Sequence, residues 1–408
     1  MHGWIETCPN GASLCPDYCC ESATTFRLRG RIETDAIGTL QSAANEATFG
    51  DLGDAIGLRR ARIGAEGELA IGGRYVTEID LASGEVVLRD VFFALGERPV
   101  QGERRFGHYL EPFSLELGTS SNHFAFMERS AVNLLDPARS WGLGWFQVDA
   151  SETRTLALGV FQNGTDANDF EGGPGSTLGV TGRITVAPLN VDEGRQLLHL
   201  GLSLSERWPE DGLIVIKQQA QSPLVEVVGD TATSPFVPQI RIPATFQQLA
   251  NLQCAAASGP LWGQAEWYGT WVCQRDGSPV FLHGCHADCG WFLTGEHRRY
   301  QGVSGVPGAV RVIRPVLRCG ESRDRPAGFG AWELVARFAY LDFVDSDVPP
   351  GPGGELVGIR LAESTFGVNW YLSDQVRIMF NYSYAVPDEP NTGTSVASVF
   401  GTRLAVFW

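Results

Sequence analysis

From Phe26 onward, apolar and polar side chains alternate with a period of two. Phe26, Leu28, Gly30 and Ile32 alternate with Arg27, Arg29, Arg31 and Glu33. Tyr75, Thr77, Ile79 and Leu81 alternate with Arg74, Val76, Glu78 and Asp80, and Leu198, Leu200, Leu202 and Leu204 with His199, Gly201, Ser203 and Ser205. The same period runs through 261–273, 331–343, 365–372, 376–384 and 400–408. A period of two with one apolar and one mixed face predicts strands. Several segments are longer than the roughly 5–6 residues usual in soluble sheets and match the ~9–11-residue strands that cross a bilayer at a tilt.

Two further regularities favour a membrane barrel over a large soluble sandwich with buried tryptophans. Aromatics crowd the segment ends, at Trp141 and Trp145, Trp267 and Trp271, Trp291, Trp370 and Tyr371, and Phe407 and Trp408. Connections alternate in length: 372–375 reads as a tight turn, whereas 344–364 and 385–399 read as long loops rich in Pro, Gly and Asp. Short turns on one side and long loops on the other, with aromatic girdles at both interfaces, are the pattern of an outer-membrane barrel. About thirteen strands are legible, and sixteen would give about 25 residues per strand with its connection. The expected fold is therefore all-β, an antiparallel transmembrane barrel of 16 strands that ends on its closing strand.

Composition narrows the functional classes. The net charge is −16 over 408 residues, which argues against a nucleic-acid partner, since that needs a basic face. No apolar run is long enough for a membrane-spanning helix. The chain holds a single lysine, Lys217, among its 31 basic residues. Lys217 follows Ile216, so no phosphate-binding Walker loop is present. The rest are arginines, planar and permanently charged, suited to lining a passage for anions.

Nine cysteines are present. The nearest approach to a metal site is Cys285-x3-Cys289 with His283 and His286, which lacks a second ligand pair at suitable spacing. No metal and no cofactor are expected, and disulfides in an oxidising compartment are the economical reading. Counting strands back from Trp408 at the periplasmic rim sets 261–273 ascending and 291–295 descending. Cys273, Cys285 and Cys289 then gather at the outer face around Asp276-Gly277, and Cys319 falls on the periplasmic side. The expectation is a bond from Cys273 to Cys285 or Cys289, and one from Cys319 to Cys8, Cys15, Cys19 or Cys20. The first 25 residues show no basic region followed by an apolar stretch, so no export signal is legible.

Ten stretches, in order, resemble the phosphate-selective porin O and P family. They are Gly30-Arg31-Ile32, LRRARIGAEGE at 58–68, TEIDL at 77–81, FGHYLEPFSLELGTSS at 106–121, MER at 127–129, LHLGL at 198–202, QAEWY at 264–268, WFLTGEHRRY at 291–300, GAWEL at 330–334 and GVNWYL at 367–372. The resemblance covers 26–408 and implies a homotrimer of 16-stranded barrels in the outer membrane of a diderm bacterium. It further implies passage of small hydrophilic or anionic solutes past a third loop folded into each pore. Residues 1–25 have no counterpart in it; their four cysteines suggest a stapled periplasmic cap that reaches a periplasmic or cell-wall partner.

Parity and resemblance together nominate the pore residues. A charge facing lipid at mid-depth costs ~2–4 kcal/mol, so Arg31, Arg60 and Arg62 must face the lumen, while Arg59 breaks parity and marks a strand start or a bulge. The resemblance implies that Arg31, Arg59 and Arg60 belong to an anion-binding wall. It also makes 109–129 the constriction loop, where Glu111, Glu116, Glu128 and Arg129 either set up a transverse field or pin the loop to the wall. One departure bears on selectivity: Leu117 stands where the phosphate-selective members carry a lysine. In addition, 205–250 supplies only Arg207, Lys217 and Arg241, whereas a desolvated phosphate needs several convergent donors.

The expected function is a passive diffusion channel with weak anion preference carried by Arg59 and Arg60. The alternatives are a phosphate- or phosphate-ester-selective channel and a structural barrel that anchors the envelope. An enzyme is not expected: His199 and Ser203 share a strand face but sit four residues apart, ~13 Å at a rise of ~3.3 Å per residue, beyond hydrogen-bond reach.

Overall fold

A computed structural model describes residues 24–70, 72–163, 176–216, 236–318, 322–351, 354 and 356–408. Lys217, Cys319 and the four N-terminal cysteines, with the cap they were expected to form, lie outside the described residues. Sixteen strands form one closed antiparallel sheet. They are β1 (Arg27–Gln41), β2 (Ala55–Glu68), β3 (Arg74–Asp80), β4 (Val87–Leu95), β5 (Glu103–Leu110), β6 (Arg139–Val148), β7 (Arg154–Asn163) and β8 (Thr177–Val191). There follow β9 (Gln196–Pro209), β10 (Ile240–Ser258), β11 (Leu261–Gln274), β12 (Val280–Phe292), β13 (Ala331–Asp342), β14 (Arg360–Tyr371), β15 (Val376–Glu389) and β16 (Ala397–Phe407). Each pairs with the next, and β16 closes on β1, from Arg31 opposite Phe407 to Gln41 opposite Ala397. Closure leaves no sheet edge, as the bilayer demands of any spanning sheet.

The two faces divide by chemistry. Outward positions carry Ile32, Ile63, Leu143, Leu158, Leu200, Leu252, Phe366, Phe380 and Leu404, all exposed on the isolated chain. Inward positions of the sheet carry Arg31, Glu33, Asp35, Arg62, Glu266, Arg337, Arg377 and Arg403, all buried. Trp332 and Trp370 are a cross-strand pair, stacked at 5.0 Å near the end where β1 starts and β16 finishes. Short turns at 149–153, 192–195, 259–260 and 372–375 share that end, which identifies it as periplasmic. One connection departs from the rule: 293–330 is long although it lies on the periplasmic side.

Three expectations need correction. The strands run further than the pattern suggested, with β14 starting at Arg360 and β15 continuing to Glu389 through Pro387. Pro387 costs no ladder bond on the β16 side, because that ladder has already ended at Ala385 opposite Ala397. Period two also changes sense near the outer end of β10. Ile240, Ile242 and Ala244 face in and Arg241, Pro243 and Thr245 face out, until a bulge between Ala244 and Phe246 resets the parity.

The third correction concerns the cysteines. Cys254, Cys273, Cys285 and Cys289 are all free. Cys285 stands opposite Trp267 and Cys289 opposite Gly263, so neither is level with Cys273 at the outer end of β11. Six residues of strand separate the level of Cys285 from that of Cys273, ~20 Å at ~3.4 Å per residue, against the 4.4–6.8 Å Cα separation of a disulfide. Peptide mapping without reduction should find no crosslink among these four cysteines; a Cys273–Cys285 peptide would contradict the β11–β12 register.

Candidate functional site

Residues 111–138, between β5 and β6, lie inside the barrel, and the inner wall holds them by their backbone. Ser114 starts a short helix, α1 (Leu115–Gly118), its hydroxyl accepting the Leu117 N–H at 2.9 Å. The next free amides, those of Leu115 and Glu116, donate to the wall carboxylate Glu266 at 2.8 Å each. The carbonyls of the segment are taken up as well. Gln253 donates to Phe113 at 2.8 Å, Arg377 to Ser121 at 3.0 Å and to Phe124 at 2.6 Å, Asn369 to Ala125 at 2.7 Å, and Arg337 to Glu128 at 3.1 Å. An irregular backbone at membrane depth is tolerated where it is buried in protein with its polar groups satisfied in this way.

Glu128 is the strongest of these attachments. Arg59 meets it through two bonds, at 2.8 and 3.0 Å, Arg60 donates at 2.9 Å and Arg403 at 2.5 Å. A bulge makes this possible. Glu33 pairs with Arg60 and Thr34 with Leu58, so Arg59 is the extra residue and two successive arginines point inward. The same cage continues to Glu33, 2.5 Å from Arg60, and to Asp35, 2.7 Å from Arg403. Burial alone would raise the Glu128 carboxyl; Arg59, Arg60 and Arg403 outweigh it and hold the group at about 2.

On the β1–β6 side of this segment lies a polar cavity of about 220 Å³. Its wall presents Arg29, Arg31, Arg60, Arg62, Arg129 and Arg139 against Glu78, Asp90 and Glu128. Glu78 alone serves three of those arginines, at 3.4 Å from Arg29, 3.5 Å from Arg31 and 3.5 Å from Arg62. Arg29 and Arg62 also reach Glu66 at 3.2 Å and Asp80 at 2.6 Å, so the positive charge left over on the wall is small. Toward the periplasm Arg74, Arg98 and Arg105 surround the single carboxylate of Glu103, at 2.9, 3.4 and 2.5 Å, extending the excess along β3–β5.

The opposite half of the lumen is filled. On its outer side Phe113, Leu117, Val132 and Leu135 pack on the inward apolar residues Ile240, Ile242, Val272, Leu282, Leu341 and Leu361. On its periplasmic side a hairpin of two short strands, Arg298–Gln301 and Val306–Val310, enters beneath the inserted segment. Arg298 donates to the His123 carbonyl at 2.9 Å, Arg183 to that of Gly305 at 2.8 Å, and Val306 packs on Leu115 and Ala255.

Among the nominated residues, Arg31, Arg60, Arg62, Glu128 and Arg129 line the 220 Å³ cavity. Arg59 is committed to Glu128 and lies on the far side of the segment, lining a smaller cavity. Glu111 and Glu116 are turned into the wall: Glu111 takes two bonds from Arg207, at 3.0 and 3.1 Å, and Glu116 one from Arg337 at 2.6 Å. Leu117 is buried in the apolar half. His199 bonds Tyr300 at 2.7 Å, and the Ser203 hydroxyl donates to the Phe113 carbonyl, so the two do not meet. Sequence reasoning missed Arg29, Arg139 and Arg403. Parity could have found Arg29, which shares a face with Arg31, and Arg403, which stands between the outward residues Thr402 and Leu404 in the last strand.

A closed 16-stranded barrel with a charged lumen and a segment folded inside it defines an outer-membrane porin, and the comparisons agree. Residues 26–405 match the family Phosphate-selective porin O and P, and the chain belongs to that family. Porin O of Pseudomonas aeruginosa is 26% identical, the match covering 94% of this chain and 90% of that protein. Two solved structures show the same fold. The anion-selective porin from Comamonas acidovorans has a TM-score of 0.55 at 12% identity, over 94% of this chain and 100% of that one. OmpT of Vibrio cholerae, in its trimer form, has 0.52 at 11%, over 95% and 100%.

Removing Glu128 should free the inserted segment without opening the barrel. In Glu128→Ala three buried guanidiniums lose a shared partner, a change of about 3–5 kcal/mol for a buried pair. Planar-bilayer recordings should show higher and noisier single-channel conductance, with heat-modifiable migration unchanged. In the parent protein the attachment, set by a depressed carboxyl, is complete above the unfolded value of about 4.3 and is lost only as pH falls through about 2. Channel noise should therefore stay flat from neutral pH down to about 4.5 and rise below it.

Proposed function

We propose that the protein is a passive diffusion channel for small hydrophilic solutes and ions with a weak preference for anions, working as a homotrimer. The observation that carries this reading is the cavity wall, where six arginines meet three carboxylates. With the opposite half of the lumen occupied, a solute has to pass along this wall. The net charge of −16 does not decide selectivity, because charges beyond a Debye length of about 8–10 Å are screened. The wall is close, and inside a narrow, low-dielectric passage its field is focused.

The preference is weak because most of these arginines are already paired. Arg62 lies 2.6 Å from Asp80 and Arg139 3.1 Å from Asp90, which leaves few unshared donors to replace the water around a phosphate. The description of the matched family speaks of phosphate selectivity and the name of the Comamonas porin of anion selectivity; we assign this chain the broader, weaker selectivity. Arg59 and Arg60 serve mainly to hold the inserted segment, and Arg29, Arg31, Arg62 and Arg139 to attract the solute.

Reversal potentials in a salt gradient test the assignment. The parent protein should reverse on the anion side. Arg29→Gln with Arg139→Gln should move the potential toward cations, and Arg59→Gln alone should move it less. Block of chloride current by low-millimolar phosphate would shift the reading to phosphate selectivity, and absence of conductance from folded protein would shift it to a structural barrel. Crosslinking in detergent should give a trimer.

A further inference from the structure

The long periplasmic connection does more than fill the lumen. After leaving the barrel it lays residues 311–318 across the periplasmic rim, where Val316 and Leu317 donate backbone bonds to the Leu372 carbonyl at 2.8 and 3.0 Å. The return stretch lies beside it, Gly328 bonding Pro315 at 3.1 Å and Gly330 bonding Arg314 at 3.0 Å. Arg325 braces the pair by bonding Asp374 twice at 2.7 Å and the Val312 carbonyl at 2.7 Å. This platform is ordered by the turn between β14 and β15, and its outer surface is composed unlike the rest of the chain.

That surface is both apolar and basic. Ile313 is 51% exposed, Val316 40%, Leu317 44% and Phe329 87%. Arg311, Arg314, Arg318 and Arg323 are exposed among them, and Asp324 is the single carboxylate described in 311–330. In a protein with net charge −16 this is a local inversion of sign. A phenylalanine presented almost entirely to its surroundings, next to arginines, suits a boundary between headgroups and acyl chains rather than water.

The position matches that boundary. The indole N–H groups of Trp332 and Trp370 donate to the Phe329 carbonyl at 3.2 and 2.8 Å. Both rings belong to the outward girdle, which marks the periplasmic headgroup level. The platform is therefore continuous with the lipid-facing belt of β13 and β14. We propose that 311–318 and Phe329 form a docking surface for an anionic phospholipid of the periplasmic leaflet. Phe329, Val316 and Leu317 enter the acyl boundary, and Arg314, Arg318 and Arg323 meet the headgroup phosphate. Each basic side chain near an anionic surface adds about five-fold in affinity, and guanidinium forks match phosphate oxygens.

Lipid retention by the detergent-solubilised full chain tests this, read by native mass spectrometry with equal amounts of phosphatidylglycerol and phosphatidylcholine of the same chain length. The parent protein should retain phosphatidylglycerol several-fold over phosphatidylcholine. Arg314→Gln with Arg318→Gln and Arg323→Gln should bring the two to near parity, and Phe329→Ser should lower retention of both. Heat-modifiable migration reports the fold; if the triple variant does not fold, the single variants Arg314→Gln and Phe329→Ser carry the same comparison. Equal retention of the two lipids by the parent, or an undiminished preference in the arginine variants, overturns the proposal. So does loss of phosphatidylglycerol to millimolar inorganic phosphate, which would mark a site for the soluble anion instead.

Discussion

A bilayer accepts neither unpaired backbone amides nor unpaired charge, and the architecture of this protein follows from that refusal. The sheet must close, so β16 meets β1. Once it is closed, charged residues on the membrane-spanning strands have one destination. Arg31, Glu33, Asp35, Arg62, Glu266, Arg337, Arg377 and Arg403 converge on one interior, where they must pair with each other or with something inserted among them.

The inserted segment 111–138 answers that demand. Its carbonyls, together with Glu111, Glu116 and Glu128, engage wall arginines on β9, β13, β15 and β16 and the Arg59–Arg60 pair of β2. Buried ion pairs add little net stability when measured against apolar substitutes, but they specify geometry. The bulge that turns two neighbouring arginines inward is what lets one carboxylate fasten the segment at a single place. With the segment fastened, the lumen becomes asymmetric: an apolar, filled half against β10–β14 and a polar passage against β1–β6.

Function rests on that asymmetry more than on the number of arginines. Arg377 and Arg403 are the most buried arginines described, and Arg337 is buried too. Yet their donors are taken by the inserted segment and by the wall carboxylates Asp35 and Asp288. Along β1–β5 carboxylates are outnumbered, three guanidiniums sharing Glu78 and three sharing Glu103. Charge left over after pairing, rather than charge present, is what a passing ion meets. The periplasmic connection contributes twice, first as a hairpin supporting the segment from below and then as a surface at the membrane boundary.

Much of this was legible in the chain itself. Period two, segment length and terminal aromatics fix an all-β membrane barrel, because the cost of a lipid-facing charge is local and leaves its mark residue by residue; the inward parity of Arg31, Arg60 and Arg62 and the irregularity at Arg59 were readable on those grounds. Register and partnership were not. Cys273, Cys285 and Cys289 looked close along the chain, but a hairpin's register pairs residues equidistant from its turn. Cys285 and Cys289, farther from the turn than Cys273, stand opposite Trp267 and Gly263 instead. Arg59 and Arg60 looked like free donors until Glu128, 68 residues from Arg60, closed on them. Which arginine keeps its charge for the solute depends on a carboxylate brought across the lumen by an irregular segment. Sequence alone determined which side chains face inward, because lipid imposes that choice at each position; only the folded chain decided which of them remain unpaired there, because pairing is a contest among distant groups for the same few ångströms of space.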